Sequence, residues 1–182
     1  MVIVQYDNGI RPIYAKCINQ VKANLPVGVK HDLISHNGVT VRNNDYRAAS
    51  EVVRLVEAAS TPDMMWIDSD VLIKKWPNFE FKKGRPYCSE KWWEAIFYVN
   101  DCCEFFQGLL KEYDDKNLCK PCWLRQLFID HRFEFEMIPE GYFVHLALSS
   151  AILAGDTFNN YGGKDYNVYR DKNGELQLDI RF

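Results

Sequence analysis

Two aspartates spaced by one residue, Asp68-Ser69-Asp70, stand directly after a short apolar run, Met64-Met65-Trp66-Ile67. At the end of a buried strand, carboxylates in this pattern can both face one crevice. Together they form a hard, oxygen-rich site suited to Mg2+ or Mn2+. A cation held there can grip a diphosphate and neutralise the charge that develops as a leaving group departs. In open α/β sheets ligands gather at the carboxyl ends of strands, which is where this pair falls. The plainer alternative is that the two aspartates only cap a turn.

The second group able to do chemistry is the cysteines. There are six: Cys17, Cys88, Cys102, Cys103, Cys119 and Cys122. Cys119-Lys120-Pro121-Cys122 has the spacing of a zinc half-site or a redox pair. With Cys88 and one of Cys102 or Cys103 it makes a candidate four-thiolate structural Zn2+ site. The alternative is a set of unlinked, partly buried thiols, which suits a reducing compartment.

The elements that must position these residues follow from periodicity. Residues 2–6 are strongly β-forming and give the first strand. Pro12 suits the first position of a helix. Behind it Ile13, Tyr14, Cys17, Ile18 and Val21 recur at helical spacing and form one apolar face. Pro26 and Gly28 end that helix, and a second strand is expected near His31 to Ser35. Asp45 is a candidate cap for a helix reaching Ser60, with Ala49, Val52, Val53, Val56 and Ala59 on its buried stripe. Arg47, Glu51, Arg54 and Glu57 then fall on other faces. Thr61-Pro62 stops it. The apolar run 64–67 follows, bounded by breakers, and reads as a strand buried on both faces.

Beyond Asp70 the sequence reads as irregular, with Pro77, Gly84 and Pro86. Ala95 to Val99 reads as another strand. Asn100-Asp101 caps a helix to about Tyr113 with Phe105, Phe106, Leu109 and Leu110 on its apolar side. A further helix spans Pro121 to Asp130. Phe133 to Ile138 alternates Phe133, Phe135 and Met137 against Glu134 and Glu136, the pattern of a half-exposed strand. The tail reads as a hairpin turning at Asp171-Lys172-Asn173-Gly174. Strand, helix, strand, helix, strand within the first 70 residues is the signature of an α/β sheet.

The chain has 182 residues, 47% hydrophobic and 26% charged, so residues 1–182 can form a single domain with a sizeable core. A net charge of −3 is not the overall footprint of a nucleic-acid or anionic-membrane binder. No run of about 18 apolar residues is present, so no membrane span is expected. The N-terminus reads as a strand rather than a targeting segment, and a cytoplasmic location is expected.

Met64-Met65-Trp66-Ile67-Asp68-Ser69-Asp70-Val71-Leu72 resembles the DxD segment of GT-A glycosyltransferases. The Arg-bearing helix over 45–60 resembles the helix that precedes it in such enzymes, and residues 95–113 are similar to the strand and acidic helix that follow. Pro139-Glu140-Gly141-Tyr142-Phe143-Val144-His145 is similar to a late segment whose His is a further metal ligand in several of these families. The resemblance covers residues 1–150. It implies a GT-A-like, Rossmann-like fold: a mixed, mainly parallel sheet flanked by helices, here with a C-terminal β-hairpin.

The resemblance also implies roles. Asp70 and His145 would ligate Mn2+ or Mg2+, and Asp68 would contact the donor ribose or the metal through water. Gln5, Tyr6 and Asp7 would border the nucleobase. Arg47 or Arg54 would face the phosphates or base, and Lys164 beside Gly162-Gly163 would meet the diphosphate. The implied donor is a UDP- or GDP-sugar. The acceptor stays open among a glycan, a lipid-linked sugar, a protein and a modified nucleic-acid base. The chain is short for the family, so its acceptor region is minimal or supplied by a partner. An inverting enzyme needs a carboxylate to take the acceptor proton, and Glu90, Asp101 and Asp130 are the candidates. Trp92 and Trp93 form an acceptor-stacking wall or belong to the core.

Two other readings compete. A phosphatase of the haloacid dehalogenase type would use Asp68 as nucleophile, with Asp114-Asp115 as its second acidic pair. Its motif normally follows the first strand, which counts against it. The other is a non-catalytic sugar-nucleotide-binding module.

Overall fold

The computed structural model describes residues 1–7, 12–35, 46–91, 93–115, 123–148 and 160–182. Three parallel strands open the fold. β1 (Val2–Asp7) lies between β2 (Lys30–Ser35) and β3 (Asp63–Ile67). Helices α1 (Pro12–Ala23) and α2 (Tyr46–Ser60) make the connections. β4 (Val71–Ile73) leaves this sheet. β5 (Arg85–Ser89) and β6 (Trp93–Asn100) then extend it, and α3 (Cys103–Asp115) and α4 (Trp123–Asp130) follow. β7 (Glu136–Ile138) closes the far edge, giving the order β2-β1-β3-β6-β5-β7. Only β6 runs against its neighbours.

Strand periodicity divides the core into two layers. Val4, Tyr6, Met64, Trp66, Phe97 and Val99 face a layer containing α2, α3 and α4. Ile3, Met65, Ile67, Ile96 and Tyr98 face the opposite side, with Val21 of α1 and Val71 and Ile73 of β4. The aromatic residues mostly belong to these layers. Trp66 stacks on Phe97 at 6.3 Å, and Phe97 on Phe106 at 5.5 Å. Each such fully buried side chain contributes about 1.5–3 kcal/mol, so the strand carrying the aspartates is anchored by its own residues.

β8 (Phe143–His145) pairs antiparallel with β4 in a small separate sheet. β9 (Asn160–Gly162), β10 (Tyr166–Arg170) and β11 (Leu176–Ile180) form a third sheet. Its Val168 and Leu176 pack with Ile13, Tyr14 and Cys17 of α1 and with Leu72, Leu146 and Leu148. The C-terminal hairpin turns at Asp171–Gly174 as its sequence requires, with Gly174 at φ 78°.

Most expectations for individual elements hold, including the five buried residues of α1. Three readings are corrected. First, the buried face of α2 keeps Val53 and Ala59 of the expected stripe but is shifted from the rest of it. Glu51, Leu55 and Ala58 are buried, whereas Val56 is 44% exposed. The interior offers partners to the charged face: Glu51 accepts from Tyr113 Oη at 3.2 Å and from the Leu124 N–H at 3.3 Å. A buried carboxylate so satisfied outweighs the pull of one valine.

Second, the segment after Asp70 is not irregular throughout. It contains β4 and β5, with Pro86 as the second residue of β5, just outside the stretch that pairs with β7. Third, the strand expected over 133–138 is only β7. Residues 131–134 form a turn, and Phe133 is 85% exposed with Arg132 over its ring at 4.2 Å. The expected cap at Asp45, the stacking residue Trp92 and the pair Cys119 and Cys122 lie outside the described residues.

Candidate metal and ligand site

Asp68 is the first residue past the carboxyl end of β3, and its N–H is held by the Ala95 carbonyl of β6 at 2.9 Å. It stays on the face of Trp66, two residues earlier, as strand geometry requires. The indole Nε1–H donates to Asp68 Oδ1 at 2.8 Å. From α2, the Arg54 guanidinium pairs with the same oxygen at 3.0 Å. Arg54 also donates to the Glu94 carbonyl at 3.0 Å and lies 5.5 Å from the Trp66 ring centre. A turn follows, closed by the Val71 N–H on the Asp68 carbonyl at 3.1 Å.

Asp70 is approached from the other side. The Val71↔His145 pairing of β4 and β8 sets the imidazole beside it, with His145 Nε2 at 3.3 Å from Asp70 Oδ1. The Leu148 N–H donates to Asp70 Oδ2 at 3.0 Å. The Leu146 N–H donates to the Asp70 carbonyl at 2.9 Å. Among the described residues, Asp68, Asp70 and His145 are the group of His, Cys, Asp and Glu that could hold a metal ion. One ligand atom from each lies within 4.8 Å of the others. Opposite ligands of an octahedral Mg2+ are separated by about 4.2 Å, twice its bond length, so the spacing of the three is comparable to that of a cation's ligands.

Electrostatics set the two carboxylates apart. Burial pushes the Asp68 carboxyl up to about 6, against the opposing pull of Arg54. Burial works in the same direction on Asp70, but the charge and hydrogen bond of His145 and the Leu148 N–H outweigh it and hold that carboxyl below the ordinary range. Burial opposes charge on His145, and Asp70, with smaller help from Asp68 and Glu94, raises it above the usual imidazole value.

The other expected site residues divide by position. Gln5 is fully buried; its Nε2 donates to the Asp68 carbonyl at 3.2 Å, and its Oε1 accepts from His31 Nε2 at 2.9 Å. Tyr6 and Asp7 end β1 at the same sheet edge as Asp68, with Tyr6 buried. Arg47 lies in the first turn of α2, about two helical turns before Arg54. Lys164 is exposed in the turn between β9 and β10. Its neighbour Asp165 pairs with Lys74 at 2.7 Å, which ties this turn to the end of β4 away from Asp70.

Glu90 follows β5 at the same sheet edge, two strands from β3, a lateral offset of about 10 Å. Asp101 sits at the opposite edge, its N–H bonded to the Pro62 carbonyl before β3. Asp130 ends α4 and accepts from Gln126 at 2.8 Å. Neither is brought to the aspartates. Glu94, absent from the sequence reading, is tied to the site through its carbonyl, which accepts from the Arg54 that pairs with Asp68. Of the thiols named for zinc, Cys88 is buried against Met137 Sδ at 3.9 Å, and burial pushes it well above the usual thiol range.

By sequence the chain matches no family profile and no curated protein. Solved structures do match. One is a glycosyltransferase involved in the glycosylation of the major capsid of PBCV-1, at TM-score 0.57 and 13% identity, covering 80% of this chain and 94% of that one. Another is the glycosyltransferase GlyE of Streptococcus pneumoniae TIGR4, in its apo form, at TM-score 0.53 and 7% identity. Here 75% of this chain matches 44% of that chain. The fold is therefore that of GT-A-like glycosyltransferases, a mixed, mainly parallel sheet flanked by helices with a C-terminal hairpin.

Proposed function

We propose that the protein is a metal-dependent glycosyltransferase that uses a nucleotide-sugar donor. The observation that carries this reading is the convergence of Asp68, Asp70 and His145 at the carboxyl end of β3, in a glycosyltransferase fold. Two carboxylates and an imidazole suit Mn2+ or Mg2+, the imidazole favouring the former. The ion would supply charge neutralisation at a departing diphosphate.

The chain's own residues do the rest. Asp70 and His145 are the closer ligand pair. Asp68, held by Trp66 and Arg54, keeps its second oxygen for the ion or a ribose hydroxyl. Gln5 fixes the turn from below, and Asp7 and Arg47 would border a UDP or GDP base. Lys164, exposed in the β9–β10 turn, would meet the diphosphate.

The position of the motif also bears on the phosphatase alternative. The motif follows the third strand of the chain, and Asp114 and Asp115 close a helix rather than follow a strand.

Thermal shift with a panel of nucleoside diphosphates and sugar nucleotides, with and without Mn2+, tests the proposal. A ligand binding only the native state raises the melting temperature. The expected result is a rise for one nucleotide that needs Mn2+ and disappears in Asp70→Ala. A folded Asp70→Ala protein with an unchanged shift would refute it. Turnover of an aryl phosphate instead would point to the phosphatase.

A further inference from the structure

Resting on that reading, we propose that Glu94 is the base that accepts the proton of the incoming hydroxyl, and that transfer therefore inverts the anomeric centre. Three observations support this. Glu94 sits on β6 next to Ala95, whose carbonyl binds the Asp68 N–H at 2.9 Å. The β3–β6 pairing ends at Ile67↔Ile96, so Glu94 stands on β6 two residues past that last pair, alongside the turn that carries the aspartates. Its carbonyl is gripped by the same Arg54 that holds Asp68, so one guanidinium locks the strand end to the metal turn.

The carboxylate itself is partly exposed, and among the described residues it has no hydrogen-bond or ion-pair partner. Asp68 and Asp70 are both engaged by donors, which leaves Glu94 as the nearby carboxylate with free acceptor capacity. Asp101 and Asp130 lie away from the site, and Glu90 stands beyond the register shift that separates Cys88 from Ser89.

In the step, the acceptor oxygen forms a bond to the anomeric carbon and gives its proton to Glu94. The bond from that carbon to the diphosphate oxygen breaks, and its electron pair leaves with the nucleoside diphosphate. Nothing else is consumed. Water can serve as acceptor, so hydrolysis of the donor reads the same step.

The test uses the full chain with Mn2+ and the sugar nucleotide that gives the largest thermal shift. Wild type and Glu94→Ala are compared for nucleotide affinity, for donor hydrolysis, and for reaction with azide, a nucleophile that needs no base. The Glu94→Ala protein is expected to keep its Mn2+-dependent thermal shift and to lose hydrolysis by about 100-fold or more. Azide should restore donor consumption, giving a glycosyl azide of inverted configuration by NMR. Hydrolysis at the wild-type rate in Glu94→Ala, lack of azide rescue, or a retained anomer would overturn the assignment. Failure of wild type to bind any nucleotide would instead sink the transferase reading on which it rests.

Discussion

Replacing Arg54 with Met tests whether a single guanidinium holds the aspartate turn in place. Arg54 keeps only 11% of its side chain exposed, pairs with Asp68 at 3.0 Å and donates to the Glu94 carbonyl at 3.0 Å. Met keeps the aliphatic stem against Trp66, so the loss is polar. Removing one partner of a buried ion pair costs about 3–5 kcal/mol, because the remaining charge stays desolvated.

Protonation limits that cost. The Asp68 carboxyl, already pushed up to about 6, rises further once its cation is gone. A carboxyl raised above its unfolded value of about 3.9 binds more protons in the folded state between the two values, so stability falls as pH rises through that window. The destabilisation should therefore be larger at pH 7.5 than at pH 5.5. At about 2–4 °C per kcal/mol for a domain of this size, a drop of about 6–20 °C is expected at pH 7.5. Circular dichroism melts of both proteins in chelator at the two pH values provide the assay. A drop below about 3 °C at pH 7.5, or a larger drop at pH 5.5, would refute the reasoning.

Two further outcomes follow from buried and bridging groups. Glu51→Ala removes the acceptor of the Tyr113 hydroxyl and of the Leu124 N–H, costing about 1–3 kcal/mol; urea unfolding should show the midpoint falling with an unchanged slope. His131 joins Glu112 of α3 at 2.8 Å and Glu134 at 2.7 Å, and these carboxylates outweigh the opposing effect of burial and raise its pKa. The stability it adds is fully present below the unfolded imidazole value of about 6.5 and is lost as pH rises through its higher folded value. His131→Gln should therefore be less stable than wild type at pH 5.5 and nearly equal to it at pH 9 in matched urea titrations.

What was legible in the sequence was what hydrophobic periodicity encodes. The run 64–67 announced a strand buried on both faces because nothing polar interrupts it. α1 declared its buried face because that face carries no charge. α2 misled for the opposite reason: its inward face includes Glu51 and Arg54, and charges are assigned to solvent unless their partners are known. Those partners, Tyr113, Leu124 and Asp68, are distant in sequence. The late His145 entered through its resemblance to a family segment, and the pairing of β8 with β4 that sets it beside Asp70 has no local signal. Glu94 went unnoticed because a lone glutamate among aromatic and aliphatic strand residues reads as an exposed side chain, and only the pairing of β6 with β3 shows what it borders.

The joining of β4 to β8 has a kinetic consequence. The Leu148 N–H that caps Asp70 comes from 78 residues further along the chain. Contacts of such high sequence separation pay loop-closure entropy before they return energy, and they form late. The parallel core of β1, β2 and β3 can assemble from the first 67 residues, whereas the ligand triad exists only once the last third of the chain has docked. Under the proposed metal-dependent reading, cation affinity would report completed folding: time-resolved Mn2+ binding during refolding is expected to lag behind the recovery of Trp66 burial.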